Sequence, residues 1–248
     1  MNKTDTYFAM EGKEMVFVKG PFEIKDPLET TQTISKIKSL FGLPTINSRI
    51  MRLVPDLLET PLGIRKRIEK KKGKFYFMVF DSILSARGPL SHIPYVDIPF
   101  KLKQSKIWPE TKVVDWDKLE GKVGNLNKDT IDEVLEDYIK CVVFRYLFGI
   151  PDLADRNFMI SDRVLYSVDE EAIGRDIDLF DNLKKNRCKK ITDFLKENTS
   201  LVETLKGWKS TIESDELKAL IPKKDMQARV KRLYKAMIAD VSAIFMKK

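Results

Sequence analysis

The sequence predicts an α+β fold in two lobes, a small strand-rich lobe with one helix and a helical lobe, with a crevice between them. Three observations carry this. Runs dense in β-branched and aromatic residues, MVFVKGPF and GKFYFMVFDSI among them, fall within residues 1–83. From Thr130 onward the apolar positions recur at three and four instead. Between the long helix that starts there and the helices at the end lies a polar loop with a small hairpin, FGIPDLADRNFMISDRVLYSVDEE. The organisation expected is a strand-rich lobe over 1–83, a hinge and connector over 84–126, and a helical lobe over 127–248 carrying the polar loop.

The elements follow in order. TYFAM, a turn at Glu11-Gly12-Lys13 and MVFVKGPF read as a hairpin. A helix comes next, with Asp26 placed to cap it, Pro27 at its first position and Glu29 where a capping-box carboxylate reaches back. Ile34, Ile37, Leu40 and Phe41 form its apolar stripe, and Gly42 and Pro44 end it. SRIMRLV at 48–54 and GKFYFMVFDSI at 73–83 read as strands, with 55–72 either a short helix or the arms of a basic hairpin. The span 84–126 is dotted with proline and glycine and shows no sustained period.

The long helix has Thr130 and Glu133 as a capping box and Ile131, Val134, Leu135, Tyr138 and Val142 on one face; Gly149 and Pro151 end it. FMI and VLYSV are short strands joined at Ser161-Asp162-Arg163. The last helix repeats Val230, Leu233, Tyr234, Met237, Val241, Ile244 and Phe245 at three and four.

Composition narrows the class. The chain has 248 residues, 43% hydrophobic and 33% charged, so a packed core is expected rather than disorder. Its two cysteines, Cys141 and Cys188, form no CxxC arrangement, which argues against a disulfide scaffold or a zinc site and fits a reducing compartment. No apolar run nears the roughly 18–20 residues of a membrane span, and the start, MNKTDTYFAM, does not read as a secretory signal. A cytoplasmic setting is expected, the host's if the chain is viral.

Net charge is +8, concentrated in IRKRIEKKKGK at 64–74, NLKKNRCKK at 182–190 and KKDMQARVKR at 223–232. Each stretch is either a surface for an anionic partner or a solvated face, and 64–74 is the densest. No nucleic-acid motif accompanies the charge. The sole histidine, His92, sits in the connector, where a local hydrogen bond is its ordinary use. Trp108 and Trp116 read as anchors of that connector.

The polar loop carries the chemistry. Magnesium needs few protein ligands, all hard oxygens, when phosphate and water complete its shell. Asn157 offers an amide oxygen and Asp169 a carboxylate, each beside a strand of a hairpin that brings its outer ends together. Asp152, on the loop after the long helix, can face the same cavity and orient an acceptor hydroxyl. Singly, each residue is an ordinary turn former. Together they match a phosphoryl-transfer site.

GIPDLADRNFMI followed by VLYSVDEE resembles the catalytic and metal-binding loops of the protein-kinase-like fold, closest to the phosphatidylinositol 3-/4-kinase-like branch. The resemblance implies Asp152 as catalytic aspartate, Asn157 and Asp169 as magnesium ligands, and Lys19 in VFVKG as the strand lysine on the ATP phosphates. It implies ATP and Mg²⁺ as cofactors and a hydroxyl-bearing acceptor: protein first, then lipid, then small molecule. Glu29 is the candidate partner for Lys19, with Glu59 as fallback. Phe80, Asp81 and Ile83 would line the adenine slot. The likeness is loose from about residue 7 onward and specific only at 148–171.

Two departures stand out. Glu170-Glu171 replaces the family's aromatic and glycine, and either glutamate, Glu170 first, could add a metal ligand or face water. No glycine-rich phosphate loop exists; Gly12 with Lys13 is the only substitute. A catalytically inactive kinase-like module, holding a protein or nucleic-acid partner through basic surfaces, is the alternative. A nucleic-acid factor on unrelated architecture, resting on 64–74, is a third reading.

Overall fold

The structure, a computed structural model, describes residues 5–11, 14–53, 75–81, 128–151, 157–161, 164–168, 170–175 and 198–246. The connector over 84–126, with His92, Trp108 and Trp116, lies outside these residues, as do Glu59 and the basic stretches 64–74 and 182–190. What is described is an α+β arrangement of one antiparallel four-stranded sheet, a two-stranded hairpin and five helices.

The sheet is built from β1 (Asp5–Glu11), β2 (Glu14–Phe22), β3 (Ser48–Leu53) and β4 (Phe75–Asp81), in the order β1-β2-β4-β3. β4 is inserted between β2 and β3, and its consecutive Phe77, Met78 and Val79 are all buried. A strand covered on both faces reads as a continuous apolar run, which explains FYFMVF. Along β2, Val16 and Val18 are buried while Phe17 and Lys19 take the other, half-exposed face. Lys19 pairs with Met78, and the regular register breaks directly after it, before Phe22.

Helix α1 (Asp26–Leu40) joins β2 to β3. Its start differs from the expected one: Lys25 is the N-cap, with no side-chain cap bond, and Asp26 lies inside the helix. Its end follows the sequence signal. Gly42, at φ +67°, lets its own amide reach the Ser39 carbonyl and that of Leu43 reach Lys38, a Schellman closure. Leu28 packs against Phe22 and Met78 of the sheet, whereas Ile34, Ile37, Phe41 and Leu43 enter the core of the helical part. The expected boundary between a strand-rich and a helical region is thus bridged by one helix.

That larger core gathers α2 (Lys128–Phe148), α3 (Thr199–Glu213), α4 (Asp215–Leu220) and α5 (Lys224–Met246). α2 begins at Lys128, so Thr130 is interior rather than a cap. From Tyr138 to Phe148 all its residues but Lys140 and Tyr146 are buried, a helix enclosed on nearly all sides rather than along one stripe. Phe41 meets Phe144, Phe148 and Trp208 edge-on, with ring centroids at 5.6, 5.4 and 4.9 Å. Asn198 caps α3 and Ser214 caps α4, each accepting a backbone N–H. β5 (Phe158–Ser161) and β6 (Val164–Ser167) form the short hairpin over the strands read from the sequence. Among the described residues no helix is long and apolar enough to cross a membrane.

Candidate functional site

Gly149 ends α2 in the same way that Gly42 ends α1. At φ +61° its amide reaches the Tyr146 carbonyl, and that of Ile150 reaches Arg145. The chain then turns toward the polar loop. A Cβ on Gly149 would lie 2.3 Å from the Arg175 carbonyl oxygen, because 174–175 runs directly over the helix end. Gly174 N–H bonds Phe148 O at 2.8 Å and Arg175 N–H bonds Gly149 O at 3.0 Å. From α5, Arg229 holds the carbonyls of Gly174 and Arg175 at 2.7 and 2.6 Å. The stretch after the hairpin is therefore pinned to the helix from which the loop departs.

The outer ends of the hairpin meet as its geometry requires. Phe158 pairs with Ser167, and Val168 N–H donates to the Asn157 carbonyl at 2.8 Å. Asn157 is buried. Asp152 and Asp169, with Lys13 and Ile83, lie outside the described residues; Pro151 and Val168 are the last described positions before the two aspartates. Among the described residues no group of three His, Cys, Asp or Glu side chains is arranged to hold a metal.

Lys19 and Glu171 form an ion pair between β2 and the segment after β6, with the two side chains 16% and 35% exposed. This corrects the expectation for Glu29. Glu29 sits at the surface and pairs with Lys25, one turn back, at 2.6 Å. The first turn of α1 directs it outward, so the carboxylate on Lys19 comes from the far end of the hairpin.

Glu170 also departs from expectation, in the opposite sense to a metal ligand. It is buried among cations. Its Oε2 lies 3.2 Å from Lys38 Nζ, and its Oε1 lies 3.6 Å from Arg145 Nε and accepts the Ser167 hydroxyl at 2.6 Å. Its carbonyl accepts from Thr31 at 3.1 Å. Lys38 donates to Ser167 O at 2.6 Å, and Arg145 Nε to Ser167 Oγ at 2.7 Å. With one oxygen on the Lys38 ammonium and the other between the Arg145 guanidinium and the Ser167 hydroxyl, buried Glu170 serves as the counter-charge of two protein cations.

At the expected adenine slot, Phe80 is half-buried against Phe22, Leu28 and Met78. Asp81 is exposed, 3.6 Å from Arg49, and its amide bonds the Asn47 carbonyl at 3.0 Å. That amide is thus taken up within the sheet. Cys141 lies one turn from Arg145 on α2, and burial pushes its thiol up to about 12.

Sequence reasoning missed Lys38 and Arg145. A usable signal existed: each is a cation set among apolar positions, Lys38 between Ile34 and Phe41 and Arg145 within CVVFRYLF. A cation on a buried face demands a buried anion. Glu170 is that anion.

No protein-family model matches the chain, and no curated protein matches its sequence.

Proposed function

We propose that the chain is an atypical, minimal protein-kinase-like phosphotransferase that moves the γ-phosphate of Mg·ATP to a hydroxyl acceptor. The observation that carries this reading is the Lys19–Glu171 pair, which draws the sheet lysine and the segment directly after Asp169 to one spot. The Asn157–Val168 bond supports it, since it brings the asparagine beside the residue that precedes Asp169. Strand-rich and helical lobes flanking that spot are part of the proposal.

In this reading Lys19 binds the phosphates that are not transferred. Asn157 and Asp169, an amide oxygen and a carboxylate, are the hard donors that suit magnesium; Glu170 does not fit and is left out of the set. When bound, the metal neutralises charge on the β and γ phosphates. Asp152 orients the acceptor hydroxyl. The acceptor oxygen bonds to the γ-phosphorus, the bond to the ADP oxygen breaks, and the hydroxyl proton passes to the Asp152 carboxylate. Phe80 packs on the base. Asp81 contributes no amide to it, so adenine is held from Ile83 onward, and Lys13 assists the phosphates. The acceptor is a protein, then a lipid, then a small molecule in order of preference, and the setting is the cytoplasm.

The test is transfer of labelled γ-phosphate from Mg·ATP to the chain itself or to a panel of protein, phosphoinositide and sugar acceptors. Asp169→Ala should abolish it with an unchanged melting temperature; full transfer by that variant refutes the assignment. One observation favours a second reading. Lys19 is already closed by Glu171, and the Glu170-Glu171 pair stands where the family has an aromatic and a glycine, which suits a kinase-like module that binds a partner without turnover. Saturable nucleotide binding with no transfer to any acceptor supports that module. Salt-sensitive RNA or DNA binding, with no affinity for Mg·ATP, would instead point to the stretch at 64–74.

A further inference from the structure

The phosphotransfer reading gives no task to the most enclosed charge among the described residues. Arg145 has no exposed surface, and its guanidinium spreads over several partners. Nη1 donates to the Pro151 carbonyl at 2.9 Å, Nη2 to the Val168 carbonyl, and Nε to Ser167 Oγ at 2.7 Å. The Arg145 backbone carbonyl also accepts from Ile150 N–H at 2.9 Å, so its backbone closes the last turn of α2 while its side chain reaches the residues beyond.

The two carbonyls are not arbitrary. Pro151 C=O belongs to the peptide group that leads into Asp152, and Val168 C=O to the one that leads into Asp169. A peptide group is planar, so a hydrogen bond to its oxygen restrains the direction in which the chain enters the next residue. One rigid fork therefore grips the entry to both aspartates at once.

We propose that Arg145, reaching in from α2, is the positioning residue that sets Asp152 and Asp169 in register, with Ser167 and Glu170 holding its guanidinium in place. The proposal rests on the phosphotransferase reading and deepens it. Arg145 touches no reacting atom; it acts through the backbone of its neighbours. A lysine cannot replace it, because one ammonium has no planar fork that spans two carbonyls. Misplacement of a reacting group by about 1 Å costs on the order of 10²-fold in rate.

The experiment compares wild type, Arg145→Lys, Ser167→Ala and a core control, Ile212→Val, as full-length chains. Three quantities are read: ATP affinity with and without Mg²⁺, kcat for release or transfer of labelled γ-phosphate, and melting temperature. Arg145→Lys keeps the charge that faces Glu170. It should retain metal-free ATP binding within about threefold, lose the gain in affinity that Mg²⁺ confers on wild type, and lower kcat by about 100-fold. Ser167→Ala keeps both carbonyl contacts and should lower kcat by about tenfold, which serves as the readout if Arg145→Lys does not fold. Ile212→Val should lower the melting temperature and leave kcat alone.

Arg145→Lys with wild-type kcat and wild-type Mg²⁺ dependence overturns the positioning role alone. Should Arg145→Lys not fold, a Ser167→Ala kcat equal to wild type does the same. Should wild type bind but not turn over, the Mg²⁺ dependence of ATP affinity in the folded variants decides. A wild-type chain that binds no ATP overturns the phosphotransferase reading and this role with it.

Discussion

Lys19 on β2 and Glu171 beyond β6 are joined as an ion pair, and that contact closes the gap between the sheet and the hairpin segment. Both side chains keep some exposure, so solvent screens the pair and its contribution to stability is about 0–1 kcal/mol. Its consequence is for binding. In the proposed function the Lys19 ammonium that would receive phosphate already faces a carboxylate, and a nucleotide would have to compete with it.

Glu171→Gln should therefore tighten metal-free ATP binding by about twofold to fivefold, the factor that corresponds to about 0.5–1 kcal/mol. Lys19→Met would remove the proposed charge-assisted hydrogen bond to phosphate, of the class worth about 1.5–3 kcal/mol, and should weaken binding by about 10- to 100-fold. Titration calorimetry on the two variants checks both. Weaker metal-free binding in Glu171→Gln would mean that the glutamate holds the lysine in its working position instead of competing for it.

The Glu170 cluster predicts a stability effect of another order. Removing the carboxylate in Glu170→Ala leaves Lys38 and Arg145 buried without their counter-charge. The expected loss is about 3–5 kcal/mol, measured as a shift of the urea midpoint. Glu170→Gln keeps an acceptor for the Ser167 hydroxyl and should lose less. Were Glu170 a solvated metal ligand, both variants would unfold at the wild-type midpoint.

The two helix-ending glycines should separate cleanly. Gly42 and Gly149 both have positive φ, but a Cβ on Gly42 meets nothing within 4 Å, while one on Gly149 meets the backbone of Gly174 and Arg175. Gly42→Ala should cost about 1–2 kcal/mol of backbone strain alone. Gly149→Ala should cost more, since 174–175 must be displaced, and it should also release the Arg229 contacts. Thermal denaturation of the two variants gives the order.

Cys141 supplies a pH prediction. Burial raises its thiol to about 12 in the folded chain, above an ordinary value of 9.0. The native state therefore keeps a proton that the unfolded state loses above pH 9, so this group's stabilising contribution is full below that pH and falls between about pH 9 and 12. Denaturation midpoints of wild type should decline more steeply over that range than those of Cys141→Ala. At neutral pH Cys141 should resist iodoacetamide in the native chain and react in urea, as peptide mass spectrometry would record.

How much of this was legible in the sequence depends on the range of the interaction. The strands follow from runs such as MVFVKGPF and FYFMVF, and the helix ends from Gly42 and Gly149, because those signals are local. Asp26 and Thr130 have the residue types of caps, yet both lie inside their helices, because capping preference alone does not set where a helix begins. The insertion of β4 between β2 and β3 has no local signature, since strand order is decided by distant pairing. The same holds at the site. Asn157 could be assigned to the hairpin's edge from spacing alone, whereas the partners of Lys19 and Glu170 come from elements far apart in the chain. Lys38 and Arg145 carry no local mark of their role beyond their apolar neighbours, because the enclosure of their faces is made by distant elements.

The most direct test is calorimetric titration of the purified chain with Mg·ATP, run beside Lys19→Met and Asp169→Ala. A convergent phosphate and metal site predicts saturable binding that requires Mg²⁺ for full affinity, weakened by the first variant and stripped of its metal dependence by the second. No binding to wild type, or binding indifferent to both substitutions, would contradict it.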